Sequence, residues 1–180
     1  MSTRPTDTRP ADVEMVEMRR RHLKGVLAIE ERVYPRPWSA SLFLSEMSMR
    51  SSRSYFVARS RRSVVGYAGF MLTDDDAHVT TIAVDPEQQK RRIGTRLMLT
   101  ITRAAVERAA RHLTLEVRTG NAAARAMYRR FGLAPVGTRP GYYTATNEDA
   151  LIMWVHDIDS PEYAERLDAI GRSLDTESTP

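Results

Sequence analysis

Three stretches of the 180-residue chain place chemically capable side chains at regular spacing. In the first, Leu113, Leu115 and Val117 alternate with Thr114, Glu116 and Arg118, so a strand here would put Glu116 on the face opposite the apolar one. A carboxylate so placed can take up a proton if that face lines a cleft, and is otherwise a solvated strand carboxylate. In the second, Tyr128 shares a helical stripe with Ala124, Met127 and Phe131, which by pattern reads as a core aromatic whose hydroxyl reaches the surface. In the third, an apolar run ending Ile82-Ala83-Val84 feeds Asp85-Pro86, a basic turn and then a long helical pattern. Free amides and the helix dipole make such a helix start an anion site. Lys90 and Arg91 add positive charge, so a pyrophosphate would sit well there; an ordinary turn with solvated basic residues is the alternative.

Other chemistries are narrowed by what is missing. The chain has no cysteine, which removes disulfides, thiolate zinc sites and a cysteine nucleophile. The four histidines are scattered, with no pair at the helical spacing of a metal site, so no metal is expected. The Gly-x-Gly-x-x-Gly dinucleotide fingerprint is absent. The net charge of +4 comes with arginine clusters at Arg19-Arg20-Arg21, Arg59 with Arg61-Arg62, Lys90-Arg91-Arg92 and Arg129-Arg130. Such clusters attract phosphates or acidic surfaces, or are simply solvated faces.

The elements that must position these groups follow from periodicity. Residues 13–18 read as a strand and 20–33 as a helix, with Leu23, Val26, Leu27 and Glu30 near helical spacing. Tyr34-Pro35-Arg36-Pro37 breaks it, and Ser39 can cap a short helix to Met47. Residues 54–59 and 63–72 form a hairpin, 77–84 a further strand, 93–111 a long helix and 112–117 a strand. Asn121 caps a helix that runs to Arg130, and Gly132 ends it. Strands over 135–139 and 150–156 flank a Gly-Tyr-Tyr loop. The order β-α-α-β-β-β-α-β-α-β-β predicts an α/β (α+β) sheet with helices between its strands.

These motifs carry a resemblance. Gln89-Lys90-Arg91-Arg92-Ile93-Gly94 resembles the GNAT acetyltransferase loop Gln/Arg-x-x-Gly-x-Gly/Ala, with Arg92 at the position of the first glycine. The segment from Leu113 to Gly132 resembles the second half of the GNAT core. With Pro37-Trp38-Ser39, Gly141-Tyr142-Tyr143 and the run from Glu148 to Met153, it is similar to the family's ribosomal-protein-alanine acetyltransferases. The resemblance covers about residues 13–156. It implies a mixed, mostly antiparallel sheet of about seven strands, splayed between strands four and five.

It further implies acetyl-coenzyme A as co-substrate, no metal, and transfer of acetyl to the N-terminal α-amine of a protein. The expected acceptor is the alanine terminus of a small-subunit ribosomal protein. Glu116 becomes the general base and Tyr128 the proton donor to the leaving thiolate. Ile82, Ala83 and Val84 offer backbone groups to the pantetheine arm, and Lys90, Arg91, Arg92, Ile93, Gly94 and Thr95 wrap the pyrophosphate. Asn121 touches coenzyme A, while Trp38, Tyr142 and Tyr143 shape the acceptor groove. Glu46, Asp75 and Glu148 are candidates to attract a cationic terminus.

Residues 1–12 are expected as a flexible lead-in, 13–157 as the acetyltransferase domain and 158–180 as a polar tail with helical potential, dispensable for catalysis. Without a signal or membrane segment, the protein is expected in the cytoplasm. Lysine or small-molecule amine acetylation is the alternative within enzymes; a non-catalytic basic ribosome- or RNA-binding module is the alternative outside them. The aromatic-basic sheet signature and Gly-x-x-Gly clamp of RNA modules are absent, so no direct nucleic-acid contact is expected. Oligomeric state has no signature in the chain.

Overall fold

A computed structural model describes residues 13–176. The expected lead-in, residues 1–12, and the last four residues of the tail lie outside the described residues. The elements run β1 (Val13–Glu17), α1 (Leu23–Val33), α2 (Ala40–Ser48), β2 (Arg53–Ser60), β3 (Ser63–Thr73), β4 (Asp76–Val84), α3 (Ile93–Glu107), β5 (His112–Arg118), α4 (Ala122–Arg130), β6 (Ala134–Tyr143), β7 (Glu148–Val155) and α5 (Pro161–Thr176). Seven strands form one sheet in the order β1-β2-β3-β4-β5-β7-β6. Every pairing is antiparallel except β4 with β5. The mixed sheet and its break between strands four and five match the expectation.

Alternation along the strands loads both faces of the sheet. Ala68 and Phe70 of β3 join a core with Leu97 and Ile101 of α3. Tyr67, the residue before Ala68 and so on the opposite face, joins a second core with Val26 and Ile29 of α1 and Phe43 of α2. Local signals behave as chemistry dictates. Ser39 Oγ accepts from Leu42 N at 3.2 Å and starts α2. Gly132 takes φ 82° after α4, a conformation that favours glycine.

Four local readings differ from the structure. The helix before α1 begins as a separate 3-10 turn, Arg20–His22. α3 stops at Glu107 rather than Arg111, because Ala109 turns to φ 64°. Gly141-Tyr142-Tyr143 is no free loop: it extends β6, with Gly141 at φ 61° donating its N–H to Asp149 Oδ1 at 2.8 Å. The polar tail contains α5, whose Tyr163, Leu167, Ile170 and Leu174 are buried in the α3 core. These four residues repeat at helical spacing within a polar composition, and their stripe finds its partner only in the tertiary fold.

Candidate active site

β4 and β5 pair only through Asp76 with His112, Ala77 with Leu113 and His78 with Thr114. Beyond that rung the parallel strands part. A register shift between Gly69 and Phe70 of β3 leaves Thr80 of β4 without a partner, a bulge of the kind that re-aims a strand beside a site. Gly69 makes room for it. A Cβ there would lie 2.2 Å from the Tyr55 ring, whose hydroxyl is 3.1 Å from Thr80 Oγ1.

The gap opens into a cavity of about 420 Å³ lined by five parts of the chain. β4 contributes residues His78 to Ile82, and β5 contributes Glu116 and its neighbours. Tyr128 enters from α4. The turn after α1, with Tyr34 and Trp38, lines it together with Tyr142 and Tyr143 at the end of β6. Of the residues singled out in the sequence, Glu116, Tyr128, Asn121, Ile82, Trp38, Tyr142 and Tyr143 meet in this one cavity.

Glu116 is held at both oxygens. Its Oε2 lies 2.5 Å from His78 Nε2, and its Oε1 is 3.4 Å from Arg139 Nη2. Its side chain is 12% exposed, so it is reachable yet constrained. The Tyr128 hydroxyl has no hydrogen-bond partner among the described residues, although the residue is 5% exposed. Burial, with Tyr34 and Tyr143 close by, pushes its pKa well above the ordinary phenol value, so the hydroxyl keeps its proton. Tyr34 donates to the Ile82 carbonyl at 3.0 Å.

Both aromatic walls are anchored. Trp38 N donates to Glu30 Oε2 at 2.9 Å, and its ring packs on Phe43 with centroids 5.2 Å apart. Glu30, 1% exposed, also accepts from the Tyr67 hydroxyl; burial raises its pKa against the pull of these two donors. Tyr142 and Tyr143 meet edge to face at 5.2 Å, with the Arg118 guanidinium 4.7 Å over Tyr143. Asn121 caps α4, its Oδ1 accepting from Ala124 N at 3.1 Å.

The remaining residues lie elsewhere. Lys90, Arg91, Arg92 and Gly94 form a turn past the end of β4 rather than this cavity wall. Arg92, with φ 58°, is the N-cap of α3, and its side chain does not cap that helix. Arginine therefore adopts the left-handed conformation a glycine would take without strain. A Cβ on Gly94 would meet only ordinary contacts, Met127 Sδ at 3.6 Å and Val84 Cγ2 at 3.7 Å. Packing of the chain does not demand that glycine. Ala83, Ile93 and Thr95 are buried, so any ligand contact they make runs through backbone.

Glu46 is bound to Arg53 and Tyr55, and Glu148 to Gly120 N and Arg118; neither lines the cavity. Asp75 is not in it either, and its carbonyl accepts from Arg111 N at 2.7 Å. The acids at the cavity are Glu30 and Glu116. Sequence reasoning missed His78, Arg139 and Glu30 as site residues. For Glu30 a signal existed: a carboxylate inside an apolar helical stripe. His78 and Arg139 had none, because their partner lies 38 and 23 residues away along the chain.

Comparison with known proteins places this geometry. The description "Acetyltransferase (GNAT) family" matches residues 23–133. The chain is 37% identical over 138 residues to a Bacillus subtilis protein provisionally named ribosomal protein bS18-alanine N-acetyltransferase, covering 77% of this chain and 91% of that one. It is 39% identical over 125 residues to N-alpha-acetyltransferase RimI of Mycobacterium tuberculosis, covering 65% and 74%. The fold superposes on the crystal structure of the ribosomal-protein-S18-alanine N-acetyltransferase from Escherichia coli with a TM-score of 0.73 at 30% identity, covering 81% of this chain and 94% of that one.

Proposed function

The chain belongs to the GNAT family of acetyltransferases and is an acetyl-coenzyme A-dependent acyltransferase; from that premise we propose that it acetylates the N-terminal α-amine of a protein, most specifically the alanine terminus of a small-subunit ribosomal protein in the cytoplasm. The acceptor class rests on the relatives named above. The chemistry rests on one observation: a clamped carboxylate, Glu116, and a buried phenol without a partner among the described residues, Tyr128, line the same cavity where β4 and β5 part.

The residues present suit acetyl-coenzyme A. β4 beyond His78 has no strand beside it on the β5 side, which leaves backbone groups for an extended pantetheine arm. The α3 N-terminus has no side-chain cap from Arg92 and sits among Lys90, Arg91 and Arg92, which suits a pyrophosphate. Gly94 lets the backbone be approached closely there. Asn121 adds a polar group at the start of α4.

The acceptor enters between the Trp38 turn and Tyr142–Tyr143. Its ammonium gives a proton to Glu116, directly or through water, and the freed lone pair forms the new N–C bond to the thioester carbonyl. Backbone at the Thr80 bulge donates to the developing oxyanion. The tetrahedral centre collapses, the C–S bond breaks and the thiolate takes the Tyr128 proton, while the nitrogen sheds its second proton, through water, to the phenolate so formed. No covalent acetyl-enzyme is involved. The domain that does this spans 13–157 in sequence terms, with α5 as its buttress.

The test mixes protein, acetyl-coenzyme A and peptides that differ at their first residue, follows thiol release, and locates the acetyl group by mass spectrometry. Turnover that needs a free α-amine and favours alanine supports the reading. Turnover confined to N-blocked peptides carrying lysine would replace the acceptor class and leave the chemistry intact.

A further inference from the structure

A second hollow, larger than the cleft, lies elsewhere on the protein. A groove of about 1100 Å³ lies between the turn after β1, the end of α2, the start of β2 and the end of α3. Six arginines line it: Arg19, Arg20, Arg21, Arg50, Arg53 and Arg108. The one carboxylate in its wall is Glu17. α3 separates the groove from the basic turn at the other end of that helix. Its 15 residues span about 22 Å at 1.5 Å each, so the two basic regions are different sites.

Two of the arginines build the wall. Arg53 Nε is 2.8 Å from Glu46 Oε2. Arg108 donates to the carbonyls of Arg50, Ser51 and Arg53 and to Ser54 Oγ, at 2.5 to 3.1 Å. The other four are exposed and have no ion pair among the described residues. Their field is felt locally. His22 beside them has a lowered pKa, through burial first and then through Arg21, Arg59 and Arg19. The apolar lining of the groove, its floor, is Met18, Leu44 and Met47 from one face of the sheet, with Phe56 from the other.

We propose that this groove binds a single-stranded stretch of RNA, phosphates on the exposed guanidiniums and bases on the apolar floor. Guanidinium planes pair bidentately with phosphate and stack on bases, which lysine cannot do. The volume exceeds the roughly 300–1,000 Å³ that takes a drug-sized ligand, so a polymer segment fits better than a small anion. A membrane surface is a poor match, because the apolar groups lie on a concave floor rather than projecting. An acidic peptide matches the charge but leaves the floor unused. The run Arg19-Arg20-Arg21 is visible in the sequence as a basic cluster, but its meeting with Arg50, Arg53 and Arg108 is not, because separate elements assemble the groove. The inference does not depend on which amine the enzyme acetylates.

The test uses fluorescence anisotropy with a labelled 12-nucleotide single-stranded RNA and the full chain, over a range of salt. The triple variant Arg19→Gln, Arg20→Gln, Arg50→Gln removes exposed guanidiniums without touching the cleft. We expect at least tenfold weaker binding, a salt slope shallower by about 2 (roughly 0.7 for each phosphate no longer neutralised), and unchanged peptide acetylation. Absence of RNA binding by the unaltered protein overturns the proposal. So does equal binding by the variant, which would move any RNA contact elsewhere. Equal or tighter binding of polyglutamate, or of vesicles rich in anionic lipid, with the same sensitivity to the triple variant, assigns the groove to those partners instead.

Discussion

His78 Nε2 lies 2.5 Å from Oε2 of Glu116, on the last rung before β4 and β5 separate. The pair bridges the two strands whose parting creates the cleft. It therefore does two things at once: it closes the base of the gap where the ladder ends, and it fixes one oxygen of the carboxylate while Arg139 approaches the other at 3.4 Å. A carboxylate with both oxygens held loses little freedom when a ligand arrives.

Glu116→Gln should lower kcat roughly 10²–10³-fold near neutral pH. The loss should shrink as pH rises past the acceptor's α-amino pKa of about 8, where the amine deprotonates unaided. A pH–rate profile of both proteins reads this; a loss constant with pH would make Glu116 structural.

His78→Ala should lower kcat about tenfold through Glu116 rather than independently. In a double-mutant cycle the His78→Ala change should then have little further effect on Glu116→Gln. Additive losses would separate the two residues.

Tyr128→Phe should reduce kcat by about 10²-fold while KM for acetyl-coenzyme A moves less than about threefold. Its hydroxyl has no partner among the described residues to lose, so thermal stability should hold. Turnover equal to that of the unaltered enzyme would remove the phenol from the chemistry.

Alkali should unfold this protein early. Tyr55, Tyr67, Tyr128 and Tyr163 all have pKa values pushed up by burial, and Tyr143 is raised to about 12. Unfolded phenols ionise near 10. Below that pH neither state is ionised and the stability is intact. Above it the unfolded chain sheds protons the folded one keeps, so stability falls as pH rises toward the folded values. Urea unfolding from pH 8 to 11 should show a falling midpoint above about pH 10, and a flat midpoint would contradict the burial argument.

Arg92→Gly should be more stable than Arg92→Ala by about 1 kcal/mol, because both lose the guanidinium and only glycine takes φ 58° freely. Gly94→Ala, with contacts no closer than 3.6 Å, should leave the melting temperature alone and raise KM for acetyl-coenzyme A about tenfold. Leu167→Ala should cost about 2–4 kcal/mol, and removal of 161–180 more. Thermal melts and steady-state kinetics check all three.

Much of this was legible beforehand. Alternation around Glu116, the helical stripe of Tyr128, the caps at Ser39 and Asn121, and the basic turn before α3 are local, since periodicity and capping act over a few residues. The mixed sheet and its splay between strands four and five could be inferred only by resemblance, and the strand order and the exact extent of the split not at all. The tail shows why: its composition is polar, but Tyr163, Leu167, Ile170 and Leu174 become core once α3 supplies a surface.

The sequence by itself determined the order of the strands and helices, though not all of their ends, and that a carboxylate, a phenol and a basic helix start would be available. Tertiary structure alone decided that the carboxylate and the phenol share one cleft, that His78 and Arg139 hold Glu116, that Glu30 anchors Trp38, and that six arginines converge in one groove. Each of those relations joins residues brought together from different elements. Register, a bulge and helix docking set them, and no short-range pattern of side chains encodes such distances.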